Sequence, residues 1–331
     1  MTVRVGFIGS GFMGRTWVEV AANHVAETRV VAVSGGSRAA SLAWDYGAAA
    51  EPSPEALVAR YDIDLVIVAT PQPNHWDGVV LAARAGKHVL VEKPMARDRP
   101  EADAMVIAAE AAKIKLAVVS QHRFRASPVF AQKLIQDGAI GRLLMVRAQG
   151  VTPWDEGVPV ENEPFADMGF HVLDLLRGMV GSPVTVGFGR QASFKATPPP
   201  RQSTMAIFAF ESGAMADVWV SYEVPQPGVG SMMQYLITGT EGMIRLDSYG
   251  KVELGKGDGW TVAFEQPAFD PNDAHDPVRL QAYADELRDV VAAIRDDREP
   301  LVNGRWAADT MSLIDVVRRS SERGEAINLV G

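Results

Sequence analysis

The chain contains no cysteine. Disulfides, thiolate zinc sites and cysteine nucleophiles are excluded with it, so any catalysis has to use other side chains. There is no block of Lys or Arg either, and 32 basic against 41 acidic residues leave a formal charge of −9. Without that electrostatic drive, nucleic acid is not an expected partner. No run is long and apolar enough to cross a bilayer, and the opening M-T-V-R-V-G-F-I-G turns directly into a strand pattern. The expectation is a cytoplasmic protein with no membrane partner. What is present is an ordinary globular mix, 47% hydrophobic and 22% charged over 331 residues, a length better served by two cores than by one.

The first part of the chain alternates apolar strand-like runs with amphipathic helical stretches. Strands are predicted at Val3–Ile8, Val30–Ser34, Leu65–Ala69, His88–Val91 and Leu116–Ser120. Ser37, Ser53-Pro54 and Gly86 punctuate the helices between them, and the pattern is that of βαβ units. Farther on come a helix opened by Ser127-Pro128 and β-rich runs at Leu143–Ala148, Val184–Ser193, Met205–Phe210, Ala214–Glu223, Met233–Thr238 and Met243–Leu246. Turns such as Glu211-Ser212-Gly213 make antiparallel hairpins of several of these. Helical patterns at Val278–Arg295 and Arg305–Arg323 end the chain. The expected fold class is α/β: an N-terminal Rossmann dinucleotide-binding domain at 1–120, and a C-terminal α+β domain with a largely antiparallel open sheet at 121–331.

Directly after the first strand stands Gly9-Ser10-Gly11-Phe12-Met13-Gly14, a G-x-G-x-x-G that opens a helix. Its glycines permit a tight turn and close backbone approach to a pyrophosphate, and the helix N-terminus adds partial positive charge. Alone the hexapeptide is a weak signal; between a strand and a helix it points to a dinucleotide, with Gly9, Gly11, Phe12, Met13 and Gly14 as contacts. An acidic residue that grips the ribose is expected about 20 residues on. The chain instead reads Val33-Ser34-Gly35-Gly36-Ser37-Arg38. Ser34, Ser37 and Arg38 could bond and neutralise a 2′-phosphate, so NADP is favoured over NAD. The alternative is that Ser37 is an N-cap and Arg38 a solvated first-turn residue.

The next strands end in Ala69-Thr70-Pro71-Gln72-Pro73-Asn74-His75 and in Val91-Glu92-Lys93-Pro94, and farther on comes Asp167-Met168-Gly169-Phe170-His171-Val172-Leu173-Asp174. Together with the glycine turn these segments resemble the Gfo/Idh/MocA oxidoreductase family over nearly the whole chain. The resemblance implies hydride transfer between NAD(P) and a sugar, cyclitol or related polyol, interconverting a secondary hydroxyl and a ketone. It implies Lys93 and His171 as the catalytic pair with Asp167 in support, and a homodimer or homotetramer built through the second domain's sheet. Thr70, Pro71, Asn74 and His75 become expected cofactor contacts, as do Glu92 and Lys93. His122 and Arg123, at the crossover out of the Rossmann domain, are expected near the substrate.

The residues themselves agree. Lys93 lies just past the carboxyl end of a parallel strand, where ligands bind in open α/β sheets, and a cation there can stabilise a developing alkoxide. The alternative is a solvated loop lysine. Asp167, His171 and Asp174 are spaced four and three apart, along one helix face, so a carboxylate can orient a histidine that takes a hydroxyl proton. The alternative is an N-capping Asp167 and a buried structural His171. No metal is expected, since Lys93 would be an unfavourable neighbour for a divalent ion. Trp154, Phe165 and His275 are expected to line the sugar pocket, although lone aromatics are more often core. Two other functions share the same motifs: a glycoside-processing enzyme that oxidises its sugar transiently, and a non-catalytic nucleotide sensor.

Overall fold

A run such as Leu65-Val66-Ile67-Val68 has no polar face and has to be covered on both sides. In the computed structural model, which describes residues 2–153, 163–194 and 201–329, that run lies inside a parallel sheet. Its strands are β1 (Val3–Ile8), β2 (Thr28–Ser34), β3 (Ala49–Ala50), β4 (Leu65–Val68), β5 (His88–Val91) and β6 (Leu116–Val118), in the order β3-β2-β1-β4-β5-β6. The helices between them are α1 (Phe12–Glu19), α2 (Ala39–Asp45), α3 (Pro54–Val58), α4 (His75–Arg84) and α5 (Arg99–Ala111). Ser53 opens α3 as its sequence predicts: Pro54 takes the first turn and the Ser53 hydroxyl accepts from the Ala56 N–H at 3.2 Å.

The second sheet has nine strands: β7 (Leu143–Pro153), β8 (Val184–Ala192), β9 (Ser203–Phe210), β10 (Met215–Val224), β11 (Met233–Gly239), β12 (Met243–Asp247), β13 (Lys251–Lys256), β14 (Gly259–Glu265) and β15 (Ile327–Asn328). Their order is β14-β13-β12-β11-β7-β10-β9-β8-β15, antiparallel except where β10 runs beside β7. Helix α6 (Ala126–Gln136) precedes this sheet, and α7 (Pro164–Val180) packs on β7 and β10. The approach is close: a Cβ at Gly150 of β7 would stand 2.7 Å from Met168 and Val172 of α7. Alternation divides each strand. On β9, Thr204, Ala206, Phe208 and Phe210 are buried, whereas Met205 and Ile207 are exposed. Strands β13 and β14 were not expected, although Lys251-Val252-Glu253-Leu254 alternates polar and apolar residues over one short stretch of sequence.

The chain divides into two units, and the division differs from the 1–120 and 121–331 expected from the sequence. Met1–Gln121 is joined by Phe269–Asp309, while His122–Ala268 and Thr310–Gly331 form the other unit. Helix α8 (Pro277–Arg295) explains the return. Asp276 caps it, accepting from the N–H groups of Val278 and Arg279, and its apolar face of Leu280, Tyr283, Ala284, Leu287 and Val291 joins the core of Trp17, Val18 and Ala21. Tyr283 meets Trp17 edge to face at 5.2 Å. The segment then adds to the sheet edge, where the Val118 N–H donates to the Val302 carbonyl. The division falls within the last helix, α9 (Gly304–Arg323). Among the described residues no helix is long and apolar enough to cross a membrane.

Candidate active site

The turn after β1 is built for close approach. Gly9 has φ +116°, and a Cβ there would lie 2.4 Å from the Ala69 carbonyl oxygen; a Cβ on Gly14 would lie 2.2 Å from the carbonyl oxygen of Gly9. Only glycine lets α1 sit on this turn. Gly11 faces open space, and α1 begins at Phe12 with no acidic residue in its first turn. In front lies a cavity of about 860 Å³, lined by Gly9, Gly11, Thr70, Pro71, Asn74 and Arg38 among others. Its size and its glycine cradle fit a dinucleotide. Phe12 is exposed, with the Arg279 guanidinium 5.0 Å over its ring, and Met13 packs against the core.

Ser34 departs from expectation. It is fully buried and not among the residues lining this cavity; its place is taken by Gly35, Gly36, Ser37 and Arg38. The reason is a left-handed pair, Gly35 at φ +78° and Gly36 at φ +79°, which folds the chain back onto the glycine turn. There the Ser10 hydroxyl donates to the Gly35 carbonyl at 2.8 Å.

The turn after β5 carries Lys93, half-buried and followed by a cis bond to Pro94. Glu92 is buried. Its carboxylate accepts from the Trp17 indole N–H at 2.8 Å and the Lys93 N–H at 3.2 Å, and burial pushes its pKa up. His75 is 1% exposed and lines no part of the cavity. Its Nε2 is 2.9 Å from the Thr70 carbonyl oxygen and its Nδ1 2.9 Å from that of Pro94; burial pulls its pKa down, and the two carbonyls oppose the fall. Glu92 and His75 are therefore engaged with protein groups behind the turns.

In the other unit, α7 carries Asp167, His171 and Asp174. The Asp167 carboxylate accepts from the Tyr222 hydroxyl at 2.9 Å, and burial together with that charge raises the Tyr222 pKa well above the usual value. His171 is buried, with its ring 4.6 Å from that of His122; His122 in turn lies 5.5 Å from Tyr249, over which Arg125 stacks at 4.8 Å. The structure thus brings His122 to His171, and turns Arg123 towards Asp174, 3.9 Å from guanidinium to carboxylate. Phe165 is fully buried core, and His275 is an exposed loop residue of the first unit. Trp154 lies outside the described residues. Tyr222, Tyr249 and Arg125 were missed. The one signal for Tyr222 was a polar aromatic near the end of a strand whose alternate positions Ala216, Val218 and Val220 are small or β-branched.

Comparison with known proteins bears on the same segments. The family model described as "Oxidoreductase family, NAD-binding Rossmann fold" matches residues 3–120, and the GFO/IDH/MocA C-terminal domain matches residues 129–245. Inositol 2-dehydrogenase of Rhizobium meliloti is 28% identical over 99% of this chain and 100% of its own. D-apiose dehydrogenase of Paraburkholderia graminis is 28% identical over 83% of this chain and 75% of its own. Among solved structures, an oxidoreductase from Agrobacterium radiobacter in complex with NAD+, L-tartaric acid and magnesium superimposes with a TM-score of 0.88 at 22% identity, covering 99% of this chain and 98% of that one. Aldose-aldose oxidoreductase from Caulobacter crescentus, complexed with glycerol, gives 0.85 at 22% identity over 99% and 100%. With both halves matched by its models, the chain belongs to the Gfo/Idh/MocA family of oxidoreductases.

Proposed function

We propose that this protein interconverts a secondary hydroxyl and a ketone on a sugar, cyclitol or related polyol. The observation that carries the proposal is the cavity of about 860 Å³ over the glycine turn, in a chain whose α7 holds Asp167 and a buried His171. The dehydrogenases of inositol and D-apiose among its relatives support the substrate class. A bound dinucleotide supplies the hydride acceptor or donor. In the oxidative direction His171 takes the hydroxyl proton and Lys93 holds the oxygen as negative charge grows on it. Asp167, fixed by Tyr222, supports substrate binding. A cytoplasmic location belongs to the same proposal, and the net charge of −9 argues against a nucleic-acid partner. The test is a panel of sugars and polyols with NAD and NADP, read at the reduced nicotinamide band; no turnover with any polyol would sink it.

The cofactor preference proposed is NADP. Ser37 and Arg38 are exposed on the cavity wall, and the turn after β2 has no carboxylate to repel a 2′-phosphate. NADP should bind at least as well as NAD, and Arg38→Asp should move preference towards NAD, as read by fluorescence titration with both reduced cofactors. Gly35 is a poor place for that test, since φ +78° strains any side chain. Much tighter binding of NAD by the unaltered protein would refute the preference.

The exposed Met205, Ile207, Met215 and Met145 lie on neighbouring strands, with Met215 directly opposite Met145. These exposed apolar side chains, which share their sheet face with the Arg147–Asp217 ion pair, support assembly as a homodimer or homotetramer. Light scattering at micromolar concentration should give a multiple of the chain mass, and a monomeric mass would count against it.

A further inference from the structure

Two side chains bond the main chain of the Lys93 turn, and one of them also reaches the cofactor cavity's wall at Thr70. On one side Glu92 binds the Lys93 N–H and the Trp17 indole. On the other stands His75, at the start of α4. Its two ring nitrogens each face a main-chain carbonyl at 2.9 Å, one belonging to Thr70, which lines the dinucleotide cavity, the other to Pro94, which follows Lys93. Neither carbonyl belongs to a neighbour in sequence of the other, and the histidine is nearly inaccessible to solvent. Water cannot readily replace it.

We infer that His75 is a positioning residue that straps the cofactor turn at Thr70 to the turn that carries Lys93, so that both are set by one side chain. A neutral imidazole has one N–H and an imidazolium two. The neutral ring therefore anchors one turn by a hydrogen bond and bears on the other through its fixed place; a second proton would bond both. The charged side chain that acts on it is Glu101 on α5, whose carboxylate is held by Arg97.

The consequence is a paired effect. His75→Leu keeps bulk and removes every donor, so the bond through which the ring ties one turn to the other is lost. Cofactor binding should weaken, and kcat should fall independently of substrate KM, each by roughly threefold to tenfold, the scale of one or two lost main-chain hydrogen bonds. His75→Gln restores one donor and should recover part of both losses. The measurements are the dissociation constant for the reduced cofactor by fluorescence titration, and steady-state kcat and KM, on variants whose circular dichroism matches the parent. If His75→Leu does not fold, the same comparison is made between His75→Gln and the parent, with smaller losses expected in both quantities. A change in melting temperature alone, or a loss in kcat with cofactor affinity intact, or the reverse, would overturn the strap. The kcat arm rests on the role proposed for Lys93; the binding arm does not. Retained turnover in Lys93→Met would refute that role, and cofactor affinity would then decide the case for His75 alone.

Discussion

Lys93→Met should lower turnover on a confirmed polyol by about 10²–10³-fold, the range for removing one donor to a developing oxyanion. His171→Ala should lower it by about 10²–10⁴-fold, the range for a general acid–base group. In the proposed chemistry both interactions grow as the reaction proceeds: the oxygen gains negative charge only as hydride departs, and its proton moves only then. Losses of that kind fall on kcat and leave cofactor affinity nearly unchanged. In His171→Ala the acid limb of the pH–rate profile should also disappear, because the group whose protonation blocks the base is gone. Lys93 and His171 belong to different units, and neither is among the large apolar side chains of a core, so both variants should stay folded. Combined, the two should cost less than the product of the single losses, since residues that serve one transition state are not additive. Asp167→Asn keeps an acceptor for the Tyr222 hydroxyl and removes the charge, so substrate affinity should weaken as well as rate. Near-normal turnover in both Lys93→Met and His171→Ala would refute the proposed chemistry even though the fold stands.

The parts of this picture that were legible in the sequence are those fixed by local rules. The first strand, its glycine turn and the helix that follows are written in six apolar-rich positions, three glycines and a change of period, and the structure has them at Val3–Ile8, Gly9–Gly14 and Phe12–Glu19. The face shared by Asp167, His171 and Asp174 follows from helical spacing alone. What was not legible depends on torsion or on distance along the chain. Whether Ser34 or Arg38 meets the cavity is decided by two consecutive left-handed glycines, and composition says only that no carboxylate is there. The apolar stripe of α8 shows that a face is buried, but not against which core, and the partner proved to be Trp17 and its neighbours. The ring contact between His122 and His171 joins two elements separated by α6 and β7, beyond the reach of any periodicity. For His75, the motif pointed to a cofactor contact at the turn after β4; that its nitrogens face inward to two carbonyls could come only from the structure.

Arg123→Met should destabilise the protein by about 3–5 kcal/mol, the cost of removing one partner from a buried ion pair. The family resemblance put Arg123 near the substrate, yet its guanidinium is turned onto α7. There its Nη1 lies 3.9 Å from the Asp174 carboxylate and donates to the Asp174 main-chain carbonyl at 3.4 Å. Asp174 is completely buried. The helix makes room for the cation one turn later: a Cβ on Gly178 would stand 2.5 Å from the Arg123 guanidinium carbon. Methionine fills much of the same space, so the loss should come from the charge left behind and not from a cavity. Asp174→Leu on its own strands the opposite charge, but Arg123 is partly exposed and can turn to water, so a smaller loss is expected. The double variant Arg123→Met/Asp174→Leu should then recover most of the stability lost in Arg123→Met, because an apolar pair of similar volume has no desolvated charge to carry. Urea unfolding followed by circular dichroism reads all three, provided the slope with denaturant is unchanged between variants. A loss below about 1 kcal/mol in Arg123→Met, in the range of exposed ion pairs, would mean that the pair contributes no more than a surface contact, and would overturn its structural role.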